Sequence, residues 1–488
     1  SLLFYDEHTF GASESVSDPL CENSQVQWGE KSAYAWEAVK RTQMLYETSV
    51  GLLQGDLRRG KNPTLTIFNT LNWKRSEMLT VYIDFEVIPR NQFFEITDFQ
   101  GHSLKVQPIR YRREGCYYAI FAEDIPPMGY KTFEIVFKQP STDTGTIQSL
   151  YDKELNCELV DSSSPWELGA FIYEKLGNRD QLAQYRLDDY NRTGLSECRI
   201  IDSSNGPIYQ RILLQGKSPG TDEAFGVNLE IKLYHDTKRI ELEYAIKRLP
   251  ETDPSGIYVA FPFQLPEGKL AFDVQGGTVI SGKNQLEGTS TDWNTVQNFV
   301  SVQNNQAQII IGSSLIPLYQ LGDINLGKFQ YQKQYERPHV YSWVMNNYWN
   351  TNFKASQEGE FRWSYHLTSS VDPSNNLATK FGWSSRIPLY ARVMPTGTEN
   401  HKPTEYSAFH FEKDNFLMTS CTPSKEEGYI LLNIREIDGK RTNLRILNED
   451  GQTIPFTIVN AIEEKLENET SEHIFEGYQN KFIKIKRF

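Results

Sequence analysis

Between residues 227 and 246 the sequence alternates apolar and polar side chains in two matched runs, and this period of two constrains the fold more than any other feature. Val227, Leu229, Ile231 and Leu233 alternate with Asn228, Glu230, Lys232 and Tyr234; after a turn at 236–238, Ile240, Leu242, Tyr244 and Ile246 resume the pattern. Successive side chains of a strand point to opposite faces, so each run buries one face and wets the other, and the pair predicts an antiparallel hairpin. Leu79, Val81, Ile83 and Phe85 alternate with Thr80, Tyr82 and Asp84, and residues 130–137 do much the same. Further strands are expected at 256–263, 299–302, 308–311, 360–367, 429–435, 442–447 and 454–459, too many for one small sandwich.

One long segment, 24–57, reads differently. Trp36, Val39, Gln43, Tyr46, Val50 and Leu53 follow steps of three and four, the spacing of one helix face. Asp18 and Pro19 ahead of it, and Gly55 and Gly60 after it, supply start and stop signals. Its stripe is expected to pack on helices that this chain lacks or only partly contains. The 488 residues exceed one compact core. The expected division is a helical segment over 1–59, a small β-sandwich over 60–140, a large two-sheet sandwich over 141–400 and a C-terminal β domain over 401–488. The polar stretch 139–145 reads as a linker.

Composition narrows the partners. A formal net charge of -13 repels a phosphate backbone, and no basic stripe with interleaved aromatics is present, so nucleic acid is not an expected partner. No apolar run reaches the length of a membrane span, so no membrane is expected either. The 5 cysteines lie far apart without a Cys-x-x-Cys pair, and their odd number does not identify a compartment. Aromatic residues make up 13% of the chain, a share that favours strands and, in grooves, contact with sugar rings.

Two clusters offer chemistry. Asp6, Glu7 and His8 carry general acid/base or metal-ligand groups, at the start of a chain that opens on Ser1 and reads as part of something longer. Asn346, Asn347 and Trp349 offer amide groups for sugar hydroxyls and an aromatic face for a pyranose ring. The plainer reading, Trp349 in the core and the asparagines in a turn, is at least as strong from sequence.

Four phrases then carry a resemblance. Residues 67–75 (IFNTLNWKR), 257–263 (IYVAFPF), 292–299 (DWNTVQNF) and 344–352 (VMNNYWNTN) stand in the order found in the carboxy-terminal half of glycoside hydrolase family 38, the α-mannosidase family. The resemblance implies a mainly β chain whose central part is a galactose-mutarotase-like supersandwich, followed by a C-terminal β-sandwich. It also implies a missing N-terminal barrel that carries the nucleophile and most zinc ligands. His8 resembles the family's late zinc ligand, with Asp6 and Glu7 as neighbouring substrate contacts alongside Asn346 and Asn347. Thr9 stands where many relatives carry Asp, and a hydroxyl supplies neither that charge nor that ligation. The implied activity is zinc-dependent, retaining hydrolysis of an α-mannoside or other glycan by the full-length parent. This chain would serve as scaffold and active-site rim, holding no zinc and turning over no substrate alone; its helix stripe, left uncovered by the missing barrel, is expected either to associate with another copy as a homodimer or to fold back on its own β domains. The alternative is a non-catalytic carbohydrate-binding or structural module.

Overall fold

The computed structural model describes residues 5–6, 11–89, 93–138, 151–350, 352–397 and 400–487. The chain is mainly β, as the alternation requires. The linker reading at 139–145 lies outside the described residues.

The predicted hairpin forms as Val227–Tyr234 and Ile240–Arg248, with Val227 opposite Ile246 and Leu233 opposite Ile240. It sits within a nine-stranded sheet, next to Gly359–Ser370. This sheet faces a six-stranded one ordered Tyr190–Thr193, Ala170–Leu176, Ser255–Phe261, Val340–Asn346, Leu318–Leu321 and Asn294–Thr295. Val227, Leu229, Leu242, Tyr244 and Ile246 meet Phe171, Ile257, Val259, Phe261 and Leu321 between the sheets and form the main core. This is the two-sheet packing expected of a large sandwich.

Upstream, Thr64–Asn69 lies between Gly129–Lys138 and a late strand, Tyr390–Met394, which returns from beyond the large sandwich to pair with it. Downstream, Phe416–Pro423, Tyr429–Glu436, Asn480–Lys486 and Phe456–Val459 form a four-stranded sheet with its own core. Asn72 joins the first and last β units: its Nδ2 donates to the Phe416 carbonyl at 2.8 Å, and its Oδ1 accepts from the Met418 amide at 3.0 Å. Asn69 serves the same corner by donating to the Trp73, Ile125 and Pro126 carbonyls. The phrase 67–75 is therefore a structural junction.

The expected helix spans Glu22–Leu53, with Cys21 Sγ accepting from the Ser24 amide at its start. Only the end of its stripe is covered. Val50 is buried and Tyr46 packs edge-on against Tyr390 at 4.6 Å, whereas Trp36 is 72% exposed and Val39 and Leu53 are also exposed. No helix among the described residues is long and apolar enough to cross a membrane. A second helix, Asn375–Arg386, was not expected from the sequence. Its signals are local ones, a Ser374 cap that accepts from the Leu377 amide and Pro388 just beyond its end. Gly382 lets it lie against the sheet, since a Cβ there would sit 3.0 Å from the Asn298 carbonyl oxygen.

Candidate functional site

The six-stranded sheet is buried on both sides. Its outward side chains, Ile172, Tyr258, Ala260, Tyr341 and Trp343, carry a second apolar layer under the loops around 178–189, 290–293 and 322–330. A cleft of about 410 Å³ opens in this layer, lined by Tyr185, Asp292, Trp293, Phe329, Trp343, Tyr348, Trp349 and Asn350 among others.

Its aromatic residues form a connected series. Tyr258 stacks on Trp343 at 6.0 Å, Trp343 meets Trp293 at 5.6 Å, Trp293 meets Trp349 edge-on at 5.8 Å, and Trp349 meets Phe353 at 5.7 Å. The outer members stay wet: Trp349 is 39% exposed, Phe329 50% and Tyr185 79%. Aromatic faces left in water at the mouth of a pocket suit a ligand with one apolar and one polar side, and a sugar ring is such a ligand.

Beneath the cleft lies a buried polar network. Glu174, fully inaccessible, accepts from Arg192 Nε at 2.5 Å, Tyr348 Oη at 2.6 Å and Tyr258 Oη at 3.2 Å. Gln320 continues it, donating to Tyr258 Oη at 3.4 Å and accepting from the Asn325 amide at 2.5 Å. Burial drives the Tyr258 and Tyr348 hydroxyls well above the ordinary tyrosine range, and the nearby Glu174 charge adds to this, so both remain protonated donors. The network thus fixes Tyr348 in the lining by hydrogen bonds it cannot easily exchange.

Asp292 is the one carboxylate among the described lining residues. Its Oδ2 accepts from the Gly327 amide at 3.1 Å, while its Oδ1 is buried without a hydrogen-bond partner. Burial raises its pKa above the usual carboxylate value, against the opposing pull of the Gly327 amide and the Lys333 charge. Trp343 Nε1 is likewise left unpartnered. An orphaned acceptor and an orphaned donor in one cleft are the groups a ligand hydroxyl would satisfy. A retaining glycosidase needs two carboxyl groups about 5–5.5 Å apart, and one lone carboxylate does not meet that need.

The sequence candidates fall around this cleft with different roles. Asn347 is a clamp: its Oδ1 accepts from the Ser255 amide at 2.7 Å, and its Nδ2 donates to the Glu251, Asp253 and Ala355 carbonyls at 3.0, 2.9 and 2.8 Å. Its amide hydrogens are spent on backbone, so it positions the loop that carries Trp349. Arg179 helps by donating to the carbonyls of Asn347 and Trp349. Asn346 ends its strand with Oδ1 buried and unpartnered. Asp6 is exposed, and Glu7, His8 and Thr9 lie outside the described residues. Gly11 abuts the backbone of Asn352 and Phe353 so tightly that a Cβ would stand 2.9 Å from the Asn352 carbonyl carbon. No group of three or more His, Cys, Asp or Glu among the described residues is arranged to hold a metal.

Sequence reasoning missed Trp293, Trp343 and Asp292 as lining residues, although both tryptophans and the aspartate lie in or beside the quoted phrases. It also missed Glu174, which shares the outward face of its strand with the apolar Ala170, Ile172 and Leu176.

Residues 136–329 match the Glycosyl hydrolases family 38 C-terminal domain. In fold the chain is similar to an alpha-mannosidase from Enterococcus faecalis V583, with a TM-score of 0.69 and 11% identity over 95% of this chain and 61% of that one. It is similar also to a protein in the glycosyl hydrolase family 38 from Enterococcus faecalis, with a TM-score of 0.66 and 12% identity over 96% of this chain and 63% of that one. The chain spans about three fifths of the length of these two structures. No protein of curated function matches the sequence. The resemblance to the carboxy-terminal portion of family 38 is borne out, and the likeness to the two structures is one of fold.

Proposed function

We propose, from the family 38 C-terminal domain in residues 136–329, that this chain is the carbohydrate-contacting β portion of a retaining glycosidase acting on α-mannosides or related glycans. The observation that carries this reading is the aromatic cleft with Asp292 Oδ1 and Trp343 Nε1 unpartnered. In it a pyranose ring would stack on Trp349 or Phe329 while its hydroxyls reach the orphaned groups. Gly11 packs on the backbone of Asn352 and Phe353, and the Phe353 ring meets Trp349, so the described N-terminal backbone borders the cleft loop.

The nucleophile and the general acid would be supplied from outside the described residues, since a single carboxylate lines the cleft. His8 is the residue of this chain whose chemistry suits zinc, as a neutral imidazole nitrogen. The described residues do not themselves assemble a zinc site. The exposed face of Glu22–Leu53 around Trp36 would be covered by a further part of the whole enzyme or by a second copy.

The test is calorimetric titration with methyl α-D-mannoside and α-mannobiose. Trp349→Ala should weaken binding by about tenfold, as expected for a lost stacking face worth about 1–1.5 kcal/mol, with stability changed by less than about 1 kcal/mol because the residue is partly exposed. Unchanged affinity in this variant, or no binding by the parent chain, would remove the cleft as a sugar site.

A further inference from the structure

A second cavity, of about 670 Å³, lies on the same outer face of the six-stranded sheet. The two share a wall. In the loop after Leu318–Leu321, Asn325, Lys328 and Gln330 line this cavity, whereas Leu326, Gly327 and Phe329 line the aromatic cleft. Tyr341 and Trp343, outward neighbours two residues apart on one strand and so separated by roughly 7 Å, line one space each.

The character of the second cavity is different. Its charged lining groups are Asp323, Lys328, Lys333, Glu336 and Arg337. Lys328 is paired with Asp323 at 2.8 Å, and Arg337 with Asp161 at 3.4 Å. His339, also in the lining, is hydrogen-bonded to Asp161 at 3.0 Å, and burial lowers its pKa, so it adds no firm positive charge. Lys333 is only 5% exposed, yet its ammonium has no hydrogen bond or ion pair among the described residues. A residue so buried, with no direct partner for its charge, carries a desolvation cost that the Asp323 and Asp292 charges offset only in part. Burial accordingly pulls its pKa down to about 8, even though Asp323 and Asp292 oppose the fall. A lysine held in this way at the wall of an open cavity is matched to an anion that arrives with the ligand.

We propose that this cavity is a subsite for an oxyanion carried on a sugar, a carboxylate or a sulfate ester, with Lys333 Nζ as its counter-charge and the neighbouring ring lying in the aromatic cleft. The proposal deepens the carbohydrate reading of that cleft and rests on it for the nature of the ligand. It places an acidic residue of the glycan across the wall formed by Asn325–Gln330, beside a neutral residue stacked at Trp349.

The experiment is titration of the full chain with three probes: methyl α-D-mannoside, methyl β-D-glucuronide and methyl glucoside 6-sulfate. A preference of about tenfold or more for one or both charged probes is expected from a charge-assisted contact, and the two charged arms decide between carboxylate and ester. Lys333→Met should abolish the preference while leaving the neutral probe unaffected, and Lys333→Arg should restore part of it. The parent chain gives a check that needs no variant. The preference should fade as pH rises past about 8, because the deprotonated amine no longer attracts the anion; the charged groups that face Lys333 are Asp323, Asp292 and Lys328.

Neutral binding that depends on Trp349 with no charge preference would overturn the subsite and leave the cleft. Charged binding that depends on Lys333 but not on Trp349 would keep the subsite and overturn the cleft reading. A charge preference that survives Lys333→Met, or that is flat across pH 8 in the parent, would overturn the assignment to Lys333.

Discussion

The two faces of the six-stranded sheet are equally buried and built in opposite ways. The inner face, with Phe171, Ile257, Val259, Phe261, Tyr319 and Leu321, is closed by the apolar side of the nine-stranded sheet. The outer face sets Glu174, Gln320 and Tyr258 among its apolar groups, ties them into one network, and holds two cavities above it. Packing alone would have favoured the first solution on both sides, since buried ions add little net stability over well-packed apolar groups. The contrast shows which face is organised for holding its fold and which for meeting a ligand.

The largest expected effect is Glu174→Ala. Arg192 would be left buried without its counter-charge, and Tyr258 and Tyr348 would lose a common acceptor. A cost of about 3–5 kcal/mol in urea unfolding is expected, together with weaker sugar binding because Tyr348 lines the cleft. A cost near zero would mean that the outer network does not organise that face.

The inner face should answer differently. Phe261→Ala removes a fully buried ring from the main core and is expected to cost about 3 kcal/mol. Sugar affinity, measured where the variant is still folded, should stay within about twofold, a change of under about 0.5 kcal/mol. A loss of binding as large as that of Trp349→Ala would erase the distinction between the faces.

How much of this was legible in sequence follows from the same contrast. Where one face of a strand is buried and the other wet, the pattern is readable, and the hairpin of Val227–Tyr234 and Ile240–Arg248 pairs in the register its alternation demands. In Ser255–Phe261 every residue is buried, so the strand was visible as an apolar run while its two faces were not. Glu174 was hidden because its partners Arg192, Tyr258 and Tyr348 are brought to it only by sheet pairing and loop closure. The return of Tyr390–Met394 to Thr64–Asn69 spans more than three hundred residues and leaves no local trace. Asn347 was singled out as an amide for sugar hydroxyls, and its amide is held by four backbone groups. An asparagine that builds a loop and one that meets a ligand look alike in sequence.

The smallest effect is expected from Asp292→Asn, and it separates stability from binding at a single atom. Burial raises the Asp292 pKa in the folded chain, so the native state holds this proton more tightly than the unfolded chain does. By linkage, stability from this group is present at low pH and is lost as pH rises from the ordinary carboxylate value of about 3.9 through the raised folded value. Asparagine carries no such charge. The variant should lack this slope in a pH series of unfolding curves and should be more stable than the parent at neutral pH, by about 1 kcal/mol or less. Its Oδ1 can still accept from the Gly327 amide, so the fold of the loop is kept. Sugar binding should nevertheless weaken several-fold, because the amide's one oxygen is then held by Gly327 and the orphaned acceptor's position passes to an NH2 group that can only donate. A gain in stability with a loss of affinity would mark Asp292 as a group kept for the ligand at the expense of the fold. If both quantities fall together, Asp292 belongs with Glu174 in the support of the outer face, and the orphaned acceptor of the cleft must be sought elsewhere.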